Sequence, residues 1–172
     1  MSEPSHVERI AAGAARYGEA EFARRCAALI GSGTEEPEFL RFVGGPPSEG
    51  VIDGSWPAWW ARSWGARALE RVWADSAAEA VIAGLGDEAW RVRMCCARVV
   101  AVRELGAPEA LLPLVGDENW RVREAAAWAL GRVGEAEHAE PLRELCDDDE
   151  PKVADRAFLA LGALSRRLDR DF

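Results

Sequence analysis

The fold is decided by the stretch DENWRVREAAAWALGRVG at residues 117–134. Its apolar residues recur at the spacing of one helix face, and it ends in a glycine, a residue type that often terminates helices. Two other segments align with its start. DEAWRVR begins at residue 87, 30 positions earlier, and DDEPKVA begins at residue 148, after a further 31. A repeat of 30 to 31 residues therefore organises this part of the chain.

Each repeat is predicted to contain two helices. Asp87 and Asp117 stand where a short carboxylate can cap the second helix. Shorter first helices are predicted over residues 76–85, 108–115 and 137–146. A fainter copy of the second helix starts at Trp59. Because no stretch alternates apolar and polar residues as a surface strand does, we predict an all-α fold.

The string at residues 117–134 resembles the HEAT-like repeat of the phycobilisome-lyase type, and the resemblance extends over roughly residues 57–168. It implies a right-handed α-solenoid whose second helices line a concave groove. It implies no single activity, because such solenoids host scaffolds, lyases and nucleic-acid enzymes.

The chain is accordingly divided into an N-terminal helical cap and loop, residues 1–56, and an array of about four repeats, residues 57–172. In the cap, Ser5 and Glu8 form a capping-box pattern that opens a helix to about Tyr17. Residues 44–56 are rich in Gly and Pro and are predicted to be a long loop. Three tryptophans spaced by four residues are expected to share one helix face: Trp56, Trp60 and Trp64.

The content of Cys and His limits the kinds of metal site that the chain can form. The chain has 172 residues and a net charge of −9, with four Cys and two His. No C-x-x-C pair or zinc-ligand spacing is present, so we expect neither a metal nor a cofactor. The vicinal Cys95 and Cys96 are expected to be packing residues. We expect a cytoplasmic protein, because there is no signal-peptide pattern and no apolar run long enough for a membrane span.

Charge is divided unevenly along the repeats. The four second helices sum to +10, which leaves −19 for the rest of the chain. Arginines at one repeat position are expected to pair with aspartates of neighbouring turns; they are Arg62, Arg93 and Arg123, with Asp87, Asp117 and Asp148 as partners. Arg67 and Arg98 do not belong to this pattern and are candidates for binding in the groove.

Equivalent residues of stacked helices lie about 10 Å apart and form rows along a groove. One row begins with the basic residues Arg67 and Arg98 and continues with the apolar residues Trp128 and Leu159. The neighbouring row contains Met94 and the carboxylates of Glu124 and Asp155. Trp120 belongs to a third row, where inter-repeat packing is the alternative role. The candidate groove residues are Arg67, Met94, Arg98, Trp120, Glu124, Trp128, Asp155 and Leu159.

This pattern favours a non-enzymatic protein-interaction scaffold, since no catalytic constellation is visible. Four repeats give a groove about 30 Å long, enough for an acidic or amphipathic helix of about 20 residues. We expect a protein partner, no nucleic acid, no membrane and no small-molecule cofactor.

Two alternatives stay open. HEAT-like alkylpurine DNA glycosylases use Trp, Asp and Arg on a concave face, and residues of these types or of similar chemistry are present at Trp120, Glu124, Trp128, Asp155 and Arg98. The negative net charge opposes phosphate binding, however. A bilin-lyase-like accessory role is suggested only by the name of the repeat class.

Overall fold

A computed structural model describes residues 3–172, and no β-strand is present among them. The prediction of an all-α fold is therefore confirmed. The chain forms two compact units, Met1–Gly84 and Leu85–Phe172. The division after residue 56 concerned where the repeats begin, and it stays a prediction.

The first unit contains six α-helices and one 3-10 turn, Asp75–Ala77, within its described residues. The helices are α1 (His6–Tyr17), α2 (Glu19–Ser32), α3 (Pro37–Gly44), α4 (Ser48–Ile52), α5 (Trp59–Ala68) and α6 (Ala78–Gly84). The predicted capping box at the start of α1 is confirmed, because the Glu8 amide donates to the Ser5 hydroxyl and the Ser5 amide donates to the Glu8 carboxylate. This reciprocal pair satisfies two amides that a helix start leaves without partners.

Aromatic rings fill the core of this unit. Phe22 of α2 and Phe39 of α3 are fully buried, and their ring centroids lie 5.0 Å apart. Gly13 lets α1 approach them, because a Cβ at that position would lie 2.3 Å from a ring carbon of Phe22. The first unit is thus held together by large side chains packed into gaps left by glycine.

The prediction that residues 44–56 form one long loop is wrong, because this segment contains the short helix α4. The Pro46-Pro47 pair restricts the backbone, and the buried Ser48 hydroxyl donates to the Gly45 carbonyl at 2.6 Å, which closes the turn before the helix. The predicted tryptophan face is also partly wrong, because α5 begins at Trp59 and Trp56 precedes it. Ring contacts still link Trp56 to Trp60 at 5.3 Å and Trp60 to Trp64 at 6.0 Å.

The second unit is built on three longer helices that follow the repeat. Its helices are α7 (Trp90–Arg103), α8 (Leu112–Val115), α9 (Trp120–Val133), α10 (Ala139–Leu145) and α11 (Pro151–Leu168), with 3-10 turns at Pro108–Leu111 and Ala136–His138. α9 packs between α7 and α11. The equivalent residues Val92, Val122 and Val153 are all fully buried. The predicted repeat therefore positions three parallel copies of one helix.

The predicted N-caps need correcting. The N-cap residues of α7 and α9 are Ala89 and Asn119, two positions after the predicted Asp87 and Asp117. The N-cap of α11 is Glu150, two positions after Asp148. Each aspartate instead accepts a hydrogen bond from the amide of that N-cap residue, at 2.8 to 2.9 Å. A short carboxylate favours this turn just as it favours a cap, so the sequence could not separate the two.

Both carboxylate oxygens of Asp117 and of Asp148 also accept hydrogen bonds from an arginine of the preceding repeat. Arg93 donates to Asp117 at 2.7 and 3.0 Å, and Arg123 donates to Asp148 at 2.7 and 2.8 Å. Arg123 also donates to the Asp117 carbonyl at 2.8 Å, so one side chain joins two successive turns. These hydrogen bonds lower the pKa of Asp148. The predicted pairing of the repeat arginines is confirmed at these two positions.

Candidate functional site

Seven of the eight predicted groove residues lie on the three repeated helices of the second unit. α7 carries Met94 and Arg98, α9 carries Trp120, Glu124 and Trp128, and α11 carries Asp155 and Leu159. Arg67 lies on α5 of the first unit, so the geometry described below concerns the other seven.

The half-buried Trp128 is the centre of a first cluster, which we call the Trp128 cluster. The guanidinium carbon of Arg98 lies 5.6 Å from its ring centroid, and that of Arg156 lies 5.8 Å away. Arg156 also donates from Nε to Glu124 at 2.7 Å. The structure thus brings three predicted residues together and adds Arg156 from the next helix.

This cluster combines apolar surface with positive charge. The face of an indole ring carries a negative quadrupole, so a guanidinium against it is stabilised by electrostatics as well as by contact. Glu124 balances part of the charge of Arg156, whose side chain is 38% exposed. The result is a half-buried ring that lies between two cations.

A second set of contacts forms an alternating row, which we call the cation–aromatic ladder. Arg91 lies 4.3 Å from the ring centroid of Trp90. Arg121 lies 5.7 Å from the Trp90 ring and 4.3 Å from the Trp120 ring. The ammonium of Lys152 lies 5.0 Å from the Trp120 ring. One cation from each of three repeats is therefore held on a tryptophan of the same or the preceding repeat.

The ladder and the Trp128 cluster lie on one face of the helices. Arg121 and Trp128 are seven residues apart on α9, which is two helical turns, and Arg91 and Arg98 have the same separation on α7. The ladder cations are at the first turn of each helix. This face offers basic groups at one end and an aromatic ring two turns further along.

Residues 100–162 match the family model described as HEAT repeats. The match begins within α7, includes all of α9 and ends within α11. No curated protein matches the chain. The HEAT-repeat segment thus contains most of the surface just described, including Arg121, Trp128 and Arg156.

The remaining predicted residues of this HEAT-repeat surface take other places. Trp120 belongs to the ladder and not to the Trp128 cluster. Met94 is half-buried, Asp155 is exposed, and the Leu159 side chain is 61% exposed. Asp155 and Leu159 therefore lie on an open part of α11.

Sequence reasoning missed four cations of the site: Arg91, Arg121, Lys152 and Arg156. A signal for the first three was present, since a basic residue directly follows the Trp or Pro that begins each repeated helix. Arg156 gave no such signal, because the equivalent positions in the other two repeats are the buried Cys95 and Ala125.

Burial raises the pKa of the Cys26 and Cys96 thiols, so both are held in the unreactive protonated form. Cys95 and Cys96 are both buried, as expected for packing residues. Across residues 3–172, no group of three His, Cys, Asp or Glu side chains is placed to hold a metal ion. None of the helices described here combines the length and apolar character that crossing a membrane requires.

Proposed function

We propose that the exposed face of α7, α9 and α11 is the binding surface of a non-enzymatic scaffold and takes an acidic or amphipathic segment of a partner protein. HEAT repeats commonly serve as protein-interaction scaffolds, which supports this assignment. The finer features belong to the same proposal: a right-handed solenoid of the phycobilisome-lyase repeat type, an N-terminal cap at residues 1–56, and a cytoplasmic location.

The cation–aromatic ladder is the observation that carries the proposal. Arg121 and Lys152 rest on tryptophan rings, and no carboxylate within residues 3–172 forms an ion pair with either. Their charge is therefore available to carboxylates of a partner. Contact with the rings also restricts these long side chains before binding, which lowers the entropy that binding must remove.

The Trp128 cluster supplies the apolar part of the surface. Tryptophan and arginine are the residue types most often found at the energetic centres of protein interfaces. Trp128 with Arg98 and Arg156 provides both types in contact. An amphipathic helix could place carboxylates over the ladder and apolar side chains against Trp128, two turns away.

A nucleic-acid ligand fits these observations less well. Single strands bind such surfaces by stacking bases on open aromatic faces. Here Trp90 and Trp120 already have cations against their rings. The net charge of −9 also opposes binding of a long polyanion.

A labelled 20-residue peptide with Glu on one helical face and Leu on the other tests the proposal by fluorescence anisotropy. The double variant Arg121→Glu/Lys152→Glu should bind it at least about tenfold more weakly, because two attractive contacts become repulsive. The control is Arg167→Glu/Arg170→Glu, which changes the net charge equally at two exposed positions away from the ladder. It should bind within about twofold of the original chain.

Two results would contradict the proposal. One is equal loss of peptide binding in both double variants, which would mean that only the overall charge matters. The other is tighter binding of a single-stranded oligonucleotide than of the peptide, with the same dependence on Arg121 and Lys152. That second outcome would favour the nucleic-acid alternative.

A further inference from the structure

We propose that α11 is a self-association surface that pairs antiparallel with α11 of a second copy of this chain. The surface consists of Asp155, Phe158, Leu159, Gly162 and Arg166. Phe158 and Leu159 are 72% and 61% exposed, the two largest values among the exposed large hydrophobic residues. Asp155 and Leu159 also belong to the predicted groove, and Lys152 of the cation–aromatic ladder lies at the edge of this surface. Self-association through α11 does not depend on the proposed function.

The same helix face is already an interface one repeat earlier. On α9, Glu124 binds Arg156 of α11, and a Cβ on Gly131 would lie 2.8 Å from the Ala160 Cα. The residues 31 positions later are Asp155 and Gly162. The acidic residue and the glycine with which α9 meets the next helix thus recur on α11, whereas α7 carries Met94 and Ala101 at these positions. On α11 this arrangement is repeated but uncovered.

Gly162 shows that the α11 face can accept close packing. A Cβ built on Gly131 meets the backbone of the neighbouring helix, whereas one built on Gly162 meets nothing nearer than a guanidinium nitrogen of Arg166 at 3.5 Å. Gly162 therefore leaves a shallow gap beside the exposed Leu159. A leucine at the matching position along the axis of a second helix would fill that gap.

The order of residues along α11 selects the occupant. Asp155, Leu159, Gly162 and Arg166 are spaced by four, three and four residues and so form one stripe. In an antiparallel pair of α11 helices centred between residues 160 and 161, Asp155 faces Arg166 of the second copy, and Leu159 faces its Gly162. In the same register, Lys152 near one end of the helix faces Asp169 of the second copy. The stripe is complementary to itself in charge and in size.

Two further observations favour this arrangement over others. Within residues 3–172, neither Asp155 nor Arg166 forms an ion pair, so both charges are available to a second copy. A parallel pair would place Asp155 beside Asp155 and Leu159 beside Leu159, which combines repulsion with crowding. Only the antiparallel register satisfies both kinds of contact in a twofold-symmetric dimer.

Sedimentation equilibrium of the full chain from about 1 to 500 µM tests the proposal, since one helix per copy gives a small interface. The original chain should form dimers. Asp155→Arg and Arg166→Asp should each weaken dimerisation by at least about tenfold, because each places like charges opposite one another twice. An equimolar mixture of the two variants should regain the original affinity, since both cross-pairs are then Arg opposite Asp.

The control is Arg167→Asp, which makes the same charge change at an adjacent exposed residue outside the stripe. The dimer dissociation constant of this control should lie within about twofold of that of the original chain. Circular dichroism should show equal helix content in all variants. A monomeric original chain throughout the range, a dimer that both charge variants retain, or a mixture that fails to recover would each overturn the proposal.

Discussion

The two units use their aromatic residues in opposite ways. In Met1–Gly84, Phe22 and Phe39 form the buried core. In Leu85–Phe172, no Phe, Tyr or Trp is among the buried residues, and the core is made of Ala, Val, Leu and Cys. The tryptophans of this second unit are half-buried and have cations against their rings.

The repeat explains this difference. Stacked helices that follow a short period must approach closely at every step, as α9 approaches α11 at Gly131 and Ala160. Such contacts admit only small side chains. Large rings are therefore left at the edge of the helix stack, where they can meet a partner. The segment of the first unit that contains Phe22 and Phe39 shows no such period and can bury them.

The largest expected effect comes from exchanging an aromatic residue for alanine in each unit. Phe22→Ala should destabilise the chain by about 3–5 kcal/mol, because it leaves a cavity in the first core. Trp128→Ala should cost less than about 1 kcal/mol, although it removes a larger side chain, because Trp128 lies at the exposed face. Urea unfolding followed by circular dichroism measures both.

Leu130→Ala is the control for that comparison. Leu130 lies two residues from Trp128 on α9 but is fully buried, so its loss should cost about 2–5 kcal/mol. A greater cost for Trp128→Ala than for Leu130→Ala would show that the two faces of α9 are assigned the wrong way round.

A smaller effect is expected at two equivalent glycines. Gly131→Ala should cost about 1–3 kcal/mol, because its methyl group would meet the Ala160 backbone. Gly162→Ala should instead stabilise by about 0.5–1 kcal/mol, since alanine favours a helix and the site is open. Thermal unfolding of the two variants distinguishes them. A neutral or stabilising Gly131→Ala would contradict the close approach of α9 to α11, and a destabilising Gly162→Ala would contradict the open site on α11.

The smallest effect concerns the repeat ion pair and depends on pH. The pKa of Asp148 is lowered in the folded chain, chiefly by its hydrogen bonds with Arg123. Its contribution to stability is therefore complete above the unfolded pKa of about 4 and disappears as pH falls through the lower folded pKa. Asp148→Asn should cost about 1–2 kcal/mol at pH 7 and much less near pH 2.

Arg24→Ala in the first unit gives the comparison for this pair. Arg24 and Glu21 form an exposed pair on α2, with side chains 60% and 45% exposed. Its removal should leave the urea midpoint nearly unchanged at either pH, because solvent screens an exposed ion pair. The four values to compare are the urea midpoints of the two variants at pH 7 and near pH 2, measured in the same buffer series. A pH-independent effect of Asp148→Asn would contradict the assigned role.

The sequence by itself determined the repeat, the all-α class and the pairing of Arg93 and Arg123 with aspartates. These features could be predicted because each recurs at a fixed period, so that one copy supports the interpretation of the next. It also identified Trp128 and Arg98 as neighbours, since equivalent residues of stacked helices lie side by side.

Only the tertiary structure decided the rest of the surface. Lys152 and Arg156 reach back to rings of the preceding repeat, and long flexible side chains do not reveal such a direction in the sequence. Tertiary structure also decided that residues 44–56 contain a helix. It likewise decided that the repeat aspartates accept hydrogen bonds in the turns before the helices instead of capping them. In each case one local pattern is compatible with two geometries, and the neighbours that choose between them are distant in sequence.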